Sequence, residues 1–259
     1  MTPTTLRTQA KFRRRPLALA FLSICLLALP AFGDQPASEI EALLAAHVAA
    51  LGDAEALAGL EGMARRGDLV LRSDATGPIA GSIELVIVPR EKIYRRSELG
   101  ALSTTAGWDG ETAWEMGPAG LRTLAGSEAE NLRSSVRIHP LYDLRVEGLE
   151  QEAIERLEDQ EVAGQTYYVL AVRTGEGPPL DLWLDATTLQ LARMVTSIQV
   201  PGLGARTVTI DHLDYEVFEG LALPTTTTVE IAGLFSTEIV FQETEINPEI
   251  DDALFSKPE

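Results

Sequence analysis

Runs of apolar, β-branched and aromatic residues between short turn signals fill the second half of the chain, from Glu161 to Glu245. Glycine, proline and aspartate mark the turns, and no helical period separates the runs. We therefore predict antiparallel strands. Their predicted ranges are Gln165–Val172, Leu180–Asp185, Leu191–Val200, Arg206–Phe218, Leu223–Ile231 and Thr237–Glu245.

Several of these strands alternate between apolar and polar residues. In the last strand, Ile239 and Phe241 are predicted to share one face with Glu243, while Val240 lies on the other. The preceding strand has an apolar side formed by Val229 and Ile231. One apolar face and one solvent-exposed face are expected when an antiparallel sheet is covered on one side only. The pattern alone fits the core of a β-sandwich or barrel equally well.

The first part of the folded chain is predicted to begin with an amphipathic helix at Ser38–Leu51. Gly52 is suited to its end, and Asp53 to the start of a second short helix. The apolar stripe of the first helix consists of Ile40, Leu43, Leu44, His47, Val48 and Leu51. Because His47 lies within this stripe, we interpret it as a core histidine and not as a ligand.

Further strands are predicted at Gly67–Ser73, Gly81–Val88, Lys92–Ser97 and Ala101–Gly107. The densest basic cluster of the chain lies in and just before the third strand and consists of Arg90, Lys92, Arg95 and Arg96. Such a cluster usually forms a solvated strand face paired with nearby carboxylates. The sequence leaves open whether the part around Arg95 and Arg96 contacts a phosphate headgroup instead.

A hairpin is predicted around Asp109–Gly110, a strong two-strand turn signal. Trp108 flanks the turn, and Trp114 and Met116 fall on one face of the returning strand, which Gly117-Pro118 ends. Two indoles and a thioether provide a large, adaptable apolar surface. They are expected either to line a ligand cavity or to belong to the core.

The remaining elements are a helix at Leu124–Arg137, a break at His139–Asp143 and a strand that begins near Ile154. At the C-terminus, Ile250, Leu254 and Phe255 are expected to pack against the sheet.

Residues 1–33 have the pattern of a signal peptide. Five basic residues precede an apolar stretch from Leu17 to Leu29, and Ala31-Phe32-Gly33 suits cleavage before Asp34. The apolar stretch is too short for a comfortable membrane span. Cys25, the single cysteine, lies in a poor lipobox, so lipidation there is the weaker alternative. Cleavage before Asp34 would leave one domain, 34–259, without a disulfide.

The strong negative charge argues against some partners. The formal net charge is −18, and loss of the five basic leader residues makes it −23. Nucleic acid and anionic membrane surfaces repel such a protein. No nucleophile–base, phosphate-loop or dinucleotide motif is present, and the three histidines lack metal-ligand spacing. His212 lies near Asp211 and Asp214, of which Asp214 is expected to share its face and could orient the ring. We expect no cofactor and no metal, and an enzyme is the least favoured class.

The order of elements resembles the outer-membrane lipoprotein-sorting (LolA/LolB-like) superfamily. The likeness rests on the N-terminal helix, the Trp108-Asp-Gly-x-x-x-Trp114 hairpin, the strand meander, and the passages Leu184–Leu189, Asp214–Pro224 and Ile246–Pro258. It implies an α+β fold, in which a strongly curved antiparallel sheet forms an unclosed β-barrel with helices covering its concave face.

The resemblance also implies a function. We expect an exported periplasmic carrier or receptor for a lipid acyl chain or an acylated lipoprotein, without catalytic residues. The candidate ligand-binding residues are Trp108, Trp114, Met116, Val229, Ile231, Ile239 and Phe241. The alternative is a non-enzymatic envelope module that binds another envelope protein.

Overall fold

The computed structural model describes residues 37–89, 91–137, 154–173, 180–200 and 202–259, all within one compact unit, Gln35–Glu259. The helices in these ranges are α1 (Ala37–Leu51), α2 (Ala54–Ala58) and α3 (Ser127–Arg137). The strands of the first half are β1 (Met63–Ser73), β2 (Gly77–Val88), β3 (Lys92–Leu99), β4 (Leu102–Trp108), β5 (Ala113–Gly117) and β6 (Gly120–Thr123). Those of the second half are β7 (Ile154–Arg156), β8 (Gln160–Val162), β9 (Gln165–Val172), β10 (Leu180–Asp185), β11 (Leu191–Val200), β12 (Gly204–Phe218), β13 (Leu221–Ile231) and β14 (Phe235–Ile246).

These fourteen strands form a single antiparallel sheet. Their order is β6-β5-β4-β3-β2-β1-β14-β13-β12-β11-β10-β9-β7, and β8 also pairs with β9. The pairing of β1 with β14 joins the two meanders. Within the part of the chain that the structure describes, β6 and β7 end this order without pairing with each other. The predicted antiparallel, unclosed sheet is therefore confirmed.

The predicted elements agree closely with the observed ones in the second half. Strands β9, β10 and β11 have the predicted bounds. Strand β6 was not predicted, because Gly117-Pro118 signals an end. Gly120 has a φ of 94° and lets the chain turn back into one more short strand. Helix α3 therefore begins at Ser127 and not at Leu124, and the predicted break at 139–143 lies outside the described residues.

The helices pack on one face of the sheet, which we call the helix face. Leu51 of α1, Leu57 of α2 and Leu132 of α3 belong to one cluster with strand residues. The strand residues of that cluster include Met63, Ile87, Ile93, Ala106, Ala113, Leu221 and Leu223. The N-terminal half of α1 forms a second cluster through Leu43 and Leu44, which contact strands β7 and β9–β11.

The C-terminal segment packs on the opposite face, which we call the tail face. Phe255 is completely buried there against Ala64 and Val86, with Ile250 and Leu254 beside it. Asp252 forms an ion pair of 2.9 Å with Lys92. The predicted packing of this segment against the sheet is confirmed.

A β-bulge between β1 and β14 corrects one predicted face. Arg66 pairs with Glu243 and Gly67 with Phe241, so Gln242 is an additional residue on β14. Arg66 also forms ion pairs with Glu243, at 3.4 Å, and with Glu84. Glu243 therefore lies on the tail face, opposite Phe241, because the bulge interrupts the strict alternation.

Candidate ligand-binding surface

An apolar cluster lies on the helix face beside the residues that contact the helices, and Leu85 packs against both groups. We call it the uncovered cluster, and it consists of Leu69, Ile83, Leu85, Leu99, Ile239 and Phe241. The register between β1 and β2 is unbroken, so Leu69 and Ile83 share the face of Met63 and Ile87. Among the described residues, no helix residue belongs to this cluster. Leu69, Ile83 and Phe241 are buried, and Leu85, Leu99 and Ile239 are half-buried, so the name refers only to the absence of described helix residues from the cluster.

Val229 and Ile231 extend this surface onto β13. Ile239 pairs with Thr227, and alternation places Val229 and Ile231 on the same face as Thr227. Both are half-buried. The structure thus brings together four of the seven sequence-predicted residues, Val229, Ile231, Ile239 and Phe241, on two adjacent strands.

The other three predicted residues are separated by the hairpin. Trp108 lies on the helix face, packs against the helix-covered cluster and has the guanidinium carbon of Arg133 5.9 Å from its ring centroid. Trp108 pairs with Ala113, so Trp114 points to the tail face, where it is 1% exposed. Met116 shares the tail face and is 44% exposed. The prediction placed the two indoles together because they are close in sequence, but the register of the hairpin puts them on opposite faces of the sheet.

A buried arginine borders the uncovered cluster, and sequence reasoning missed it. Arg65 is 2% exposed, and its guanidinium carbon lies 3.7 Å from the centroid of the Phe241 ring. Its Nε donates to Thr244 Oγ1 at 3.1 Å, and its Nη2 donates to the Pro224 carbonyl at 2.6 Å. Burial lowers the pKa of Arg65 to about 9, against the opposing influence of Tyr215. Alternation along β1 from Met63 to Leu69 would have placed Arg65 on the apolar face of the strand.

His212 is a second buried polar group on this face. Its Nδ1 lies 3.4 Å from Thr227 Oγ1, and its Nε2 is buried with no hydrogen-bond partner in the described part of the chain. Burial lowers the pKa of His212 to about 4, and the positive charge of Arg65 acts in the same direction. The imidazole is therefore neutral at pH 7.

The predicted role of Asp214 as the group that orients His212 is not found. The only hydrogen bond of the His212 ring in the described chain is with Thr227. Asp214 has a φ of 53°, which interrupts the alternation of β12 that the prediction assumed. Asp211 is held instead by Arg193, whose Nε donates at 2.5 Å.

The predicted basic cluster is divided between the two faces. Arg96 pairs with Glu98 at 2.6 Å and Lys92 with Asp252, as expected for a solvated strand face. Arg95 points to the helix face, where it stands in one register row with Leu85 and Arg65. It is exposed and has no carboxylate within ion-pair distance among the described residues. Arg90 lies outside the described residues.

His47 is a core histidine, as predicted. It is completely buried in α1, and its Nδ1 lies 2.5 Å from the Leu189 carbonyl. Burial lowers the pKa of His47 to about 4, although this hydrogen bond opposes the shift. Its Nε2, like that of His212, has no partner in the described part of the chain.

The described ranges contain no group of three or more His, Cys, Asp or Glu side chains arranged to hold a metal ion. None of the helices in these ranges is long and apolar enough to cross a membrane.

The fold is similar to that of solved outer-membrane lipoprotein-sorting and LolA superfamily proteins. The chain is similar to an outer membrane lipoprotein-sorting protein domain from Vibrio parahaemolyticus, with a TM-score of 0.54 and 13% identity over 86% of this chain and 98% of that one. A LolA superfamily protein from Nitrosomonas europaea has a TM-score of 0.54 and 11% identity, over 84% of this chain and 97% of that one. A DUF1329 family protein from Desulfovibrio piger has a TM-score of 0.52 and 13% identity, over 84% and 97%. Neither a sequence-family model nor a curated protein matches this chain.

Proposed function

We propose that this protein is an exported periplasmic binding protein for an apolar ligand, either a lipid acyl chain or an acylated lipoprotein. In this role it acts as a carrier or receptor in envelope lipid and lipoprotein traffic. The observation that carries the proposal is the uncovered cluster, an apolar group of strand residues on the helix face to which the helices of the described ranges contribute no residue. The similarity in fold to an outer membrane lipoprotein-sorting protein domain supports the choice of ligand.

The proposal includes the location and the overall shape. Residues 1–33 would be removed as a signal peptide before Asp34, leaving a single domain in the periplasm. The sheet would curve around the helix face as an unclosed barrel, with the helices over its concave side. The ligand would then lie between helices and sheet.

The ligand-binding residues on this surface are Val229, Ile231, Ile239 and Phe241, with Trp108 at its helix-covered border. A ligand on the helix face does not reach Trp114 or Met116, because both lie on the tail face. Burial of apolar area on this surface supplies about 25 cal/mol per Å² before the cost of ordering the ligand. A ligand that presents a long hydrocarbon chain is thus favoured over a compact polar one.

Native mass spectrometry of the exported protein, purified without detergent, tests this function. We expect additional mass that organic extraction releases as a lipid or an acylated peptide. A bare mass that does not change after incubation with envelope lipids would contradict the proposal. That result would favour the alternative of a module that binds another envelope protein.

A further inference from the structure

The outer edge of strand β6 is open. This strand pairs with β5 on one side, and within the described ranges no strand pairs with its other side. All four of its residues, Gly120–Thr123, are exposed. An open edge presents main-chain N–H and C=O groups to which another extended segment can bind. Proteins often protect such an edge with a lysine, a proline or a bulge, and β6 contains none of these.

The main-chain groups of Leu121 and Thr123 face outward from this edge. The N–H of Leu124 donates to the carbonyl of Ala113 at 2.8 Å, so these two residues form a hydrogen-bonded pair. Bonded and non-bonded pairs alternate along an antiparallel ladder. Arg122 is therefore bonded to β5 as well, whereas Leu121 and Thr123 lie in non-bonded pairs and turn their N–H and C=O groups away from β5. No described residue binds these groups.

The tail face beside the edge is apolar. Leu121 pairs with Met116, so both side chains lie on the tail face. Met116 is 44% exposed and Leu121 is 36% exposed, so the C-terminal segment leaves both accessible. That segment reaches the edge only at Lys257, whose Nζ donates to Thr123 Oγ1 at 2.8 Å. An apolar side chain of a segment paired with β6 would pack beside Leu121.

The helix face beside the edge carries a net negative charge. Arg122 lies on this face and forms ion pairs with Glu115 at 3.0 Å and with Glu128 of α3 at 2.7 Å. Two carboxylates against one guanidinium leave a negative charge next to the edge. The whole chain has a formal net charge of −18, so a second copy of the protein would be repelled. A basic side chain on this face is therefore favoured over another copy.

We propose that the edge of β6 is a docking site for an extended segment of another protein in which apolar and basic residues alternate. The segment adds one antiparallel strand to the sheet. Its apolar side chains lie on the tail face beside Leu121, and its basic side chains lie on the helix face near Glu128. This inference goes beyond the proposed function, because the edge is separate from the candidate ligand surface and its occupant is a protein.

A short peptide of alternating valine and lysine with blocked ends tests the pairing by fluorescence anisotropy. Its valines are expected opposite Leu121 and Thr123, so N-methylation of the valines removes the donors that face β6. N-methylation of the lysines instead blocks only the other edge of the peptide and keeps its charge and composition. We expect the first modification to weaken binding at least about tenfold and the second to leave binding unchanged.

A proline in β6 tests the same site from the side of the protein. Leu121→Pro removes an outward N–H and no bond to β5, and an edge strand tolerates such a proline. Glu161→Pro is the matched control on β8, near the other end of the sheet. Its N–H also faces outward, because the carbonyl of its pair residue Thr166 accepts from Ala186. We expect Leu121→Pro to weaken peptide binding at least about tenfold and Glu161→Pro to leave it unchanged.

Three outcomes would overturn the docking site. Equal binding of the two methylated peptides would show that charge alone holds the peptide on the acidic surface. A Leu121→Pro protein that is folded by circular dichroism and binds the peptide as the wild type does would contradict the edge. A dimer in sedimentation velocity that Leu121→Pro converts to a monomer would assign the edge to a second copy of the chain. The methylated peptides decide the question even if Leu121→Pro does not fold.

Discussion

The indole nitrogen of Trp114 donates a hydrogen bond to the main-chain carbonyl of Phe255 at 2.7 Å, although 141 positions separate the two residues. This contact fixes the C-terminal segment across the tail face. Trp114 and Phe255 are both almost fully buried, so the tail face here is a packed interior. The C-terminal segment therefore closes this part of the tail face to a ligand.

The C-terminal segment should contribute strongly to stability. Phe255→Ala removes a fully buried ring and leaves a cavity between the segment and Ala64 and Val86, which costs about 3–5 kcal/mol in such positions. Urea denaturation measures the loss. Val217→Ala, at a site that is 73% exposed, is the control and should change the free energy of unfolding by less than about 0.5 kcal/mol. Equal effects of the two variants would show that the segment does not pack as described.

Gly107 provides the space in which Trp114 lies. A Cβ atom at Gly107 would come within 2.6 Å of the indole, whereas one at Gly117 would meet only Thr104 Oγ1 at 3.9 Å. We expect Gly107→Ala to destabilise the protein by about 1–3 kcal/mol, since the buried ring must move. Gly117→Ala is the matched control in the adjoining strand. The near-ultraviolet circular dichroism of the tryptophans should change for Gly107→Ala alone, and an unchanged spectrum would contradict this packing.

Stability should decrease on acidification because of the two buried histidines. Burial lowers the pKa values of His47 and His212 to about 4, and the unfolded chain protonates both near 6.5. The unfolded state thus binds more protons between these values, so stability is full above about pH 6.5 and is lost as the pH falls towards 4. Each histidine contributes roughly 3 kcal/mol to this change.

Urea denaturation at pH 7, 6, 5 and 4.5 measures that slope. His47→Leu removes one of the two titrating histidines. It should halve the part of the pH dependence of the unfolding free energy that the histidines cause. Ser103→Ala, at an exposed position of β4, is a control that should leave the slope unchanged. A His47→Leu protein with the slope of the wild type would show that this histidine titrates normally in the folded state.

Alternation and turn signals predicted most of the strands because both are local properties of the chain. Strands β9 to β11 begin and end at the predicted residues. The packing of Phe255 against the sheet was predicted from its place in an apolar C-terminal segment. Two kinds of information are not local. The bulge at Gln242 depends on the partner strand, and it moves Glu243 to the other face. The division of Trp108 from Trp114 depends on the register of the hairpin.

The buried site residues were harder to predict for the same reason. In the sequence Met-Ala-Arg-Arg-Gly, Arg65 cannot be told from its neighbour Arg66, which has the same chemistry but points to the opposite face of the sheet. Arg95 and Arg96 form the same kind of pair. Only the sheet register shows which arginine of each pair lies on the helix face.

The most direct measurement compares two adjacent positions of β14 for binding of a fluorescent acyl-chain probe. Ile239 faces the uncovered cluster, whereas Val240 is 39% exposed on the tail face. Ile239→Glu places a carboxylate in the proposed ligand surface and should weaken binding of the probe at least tenfold, while Val240→Glu should bind as the wild type does. If Ile239→Glu is folded and retains full binding, or if Val240→Glu loses it, the ligand surface is not on the helix face.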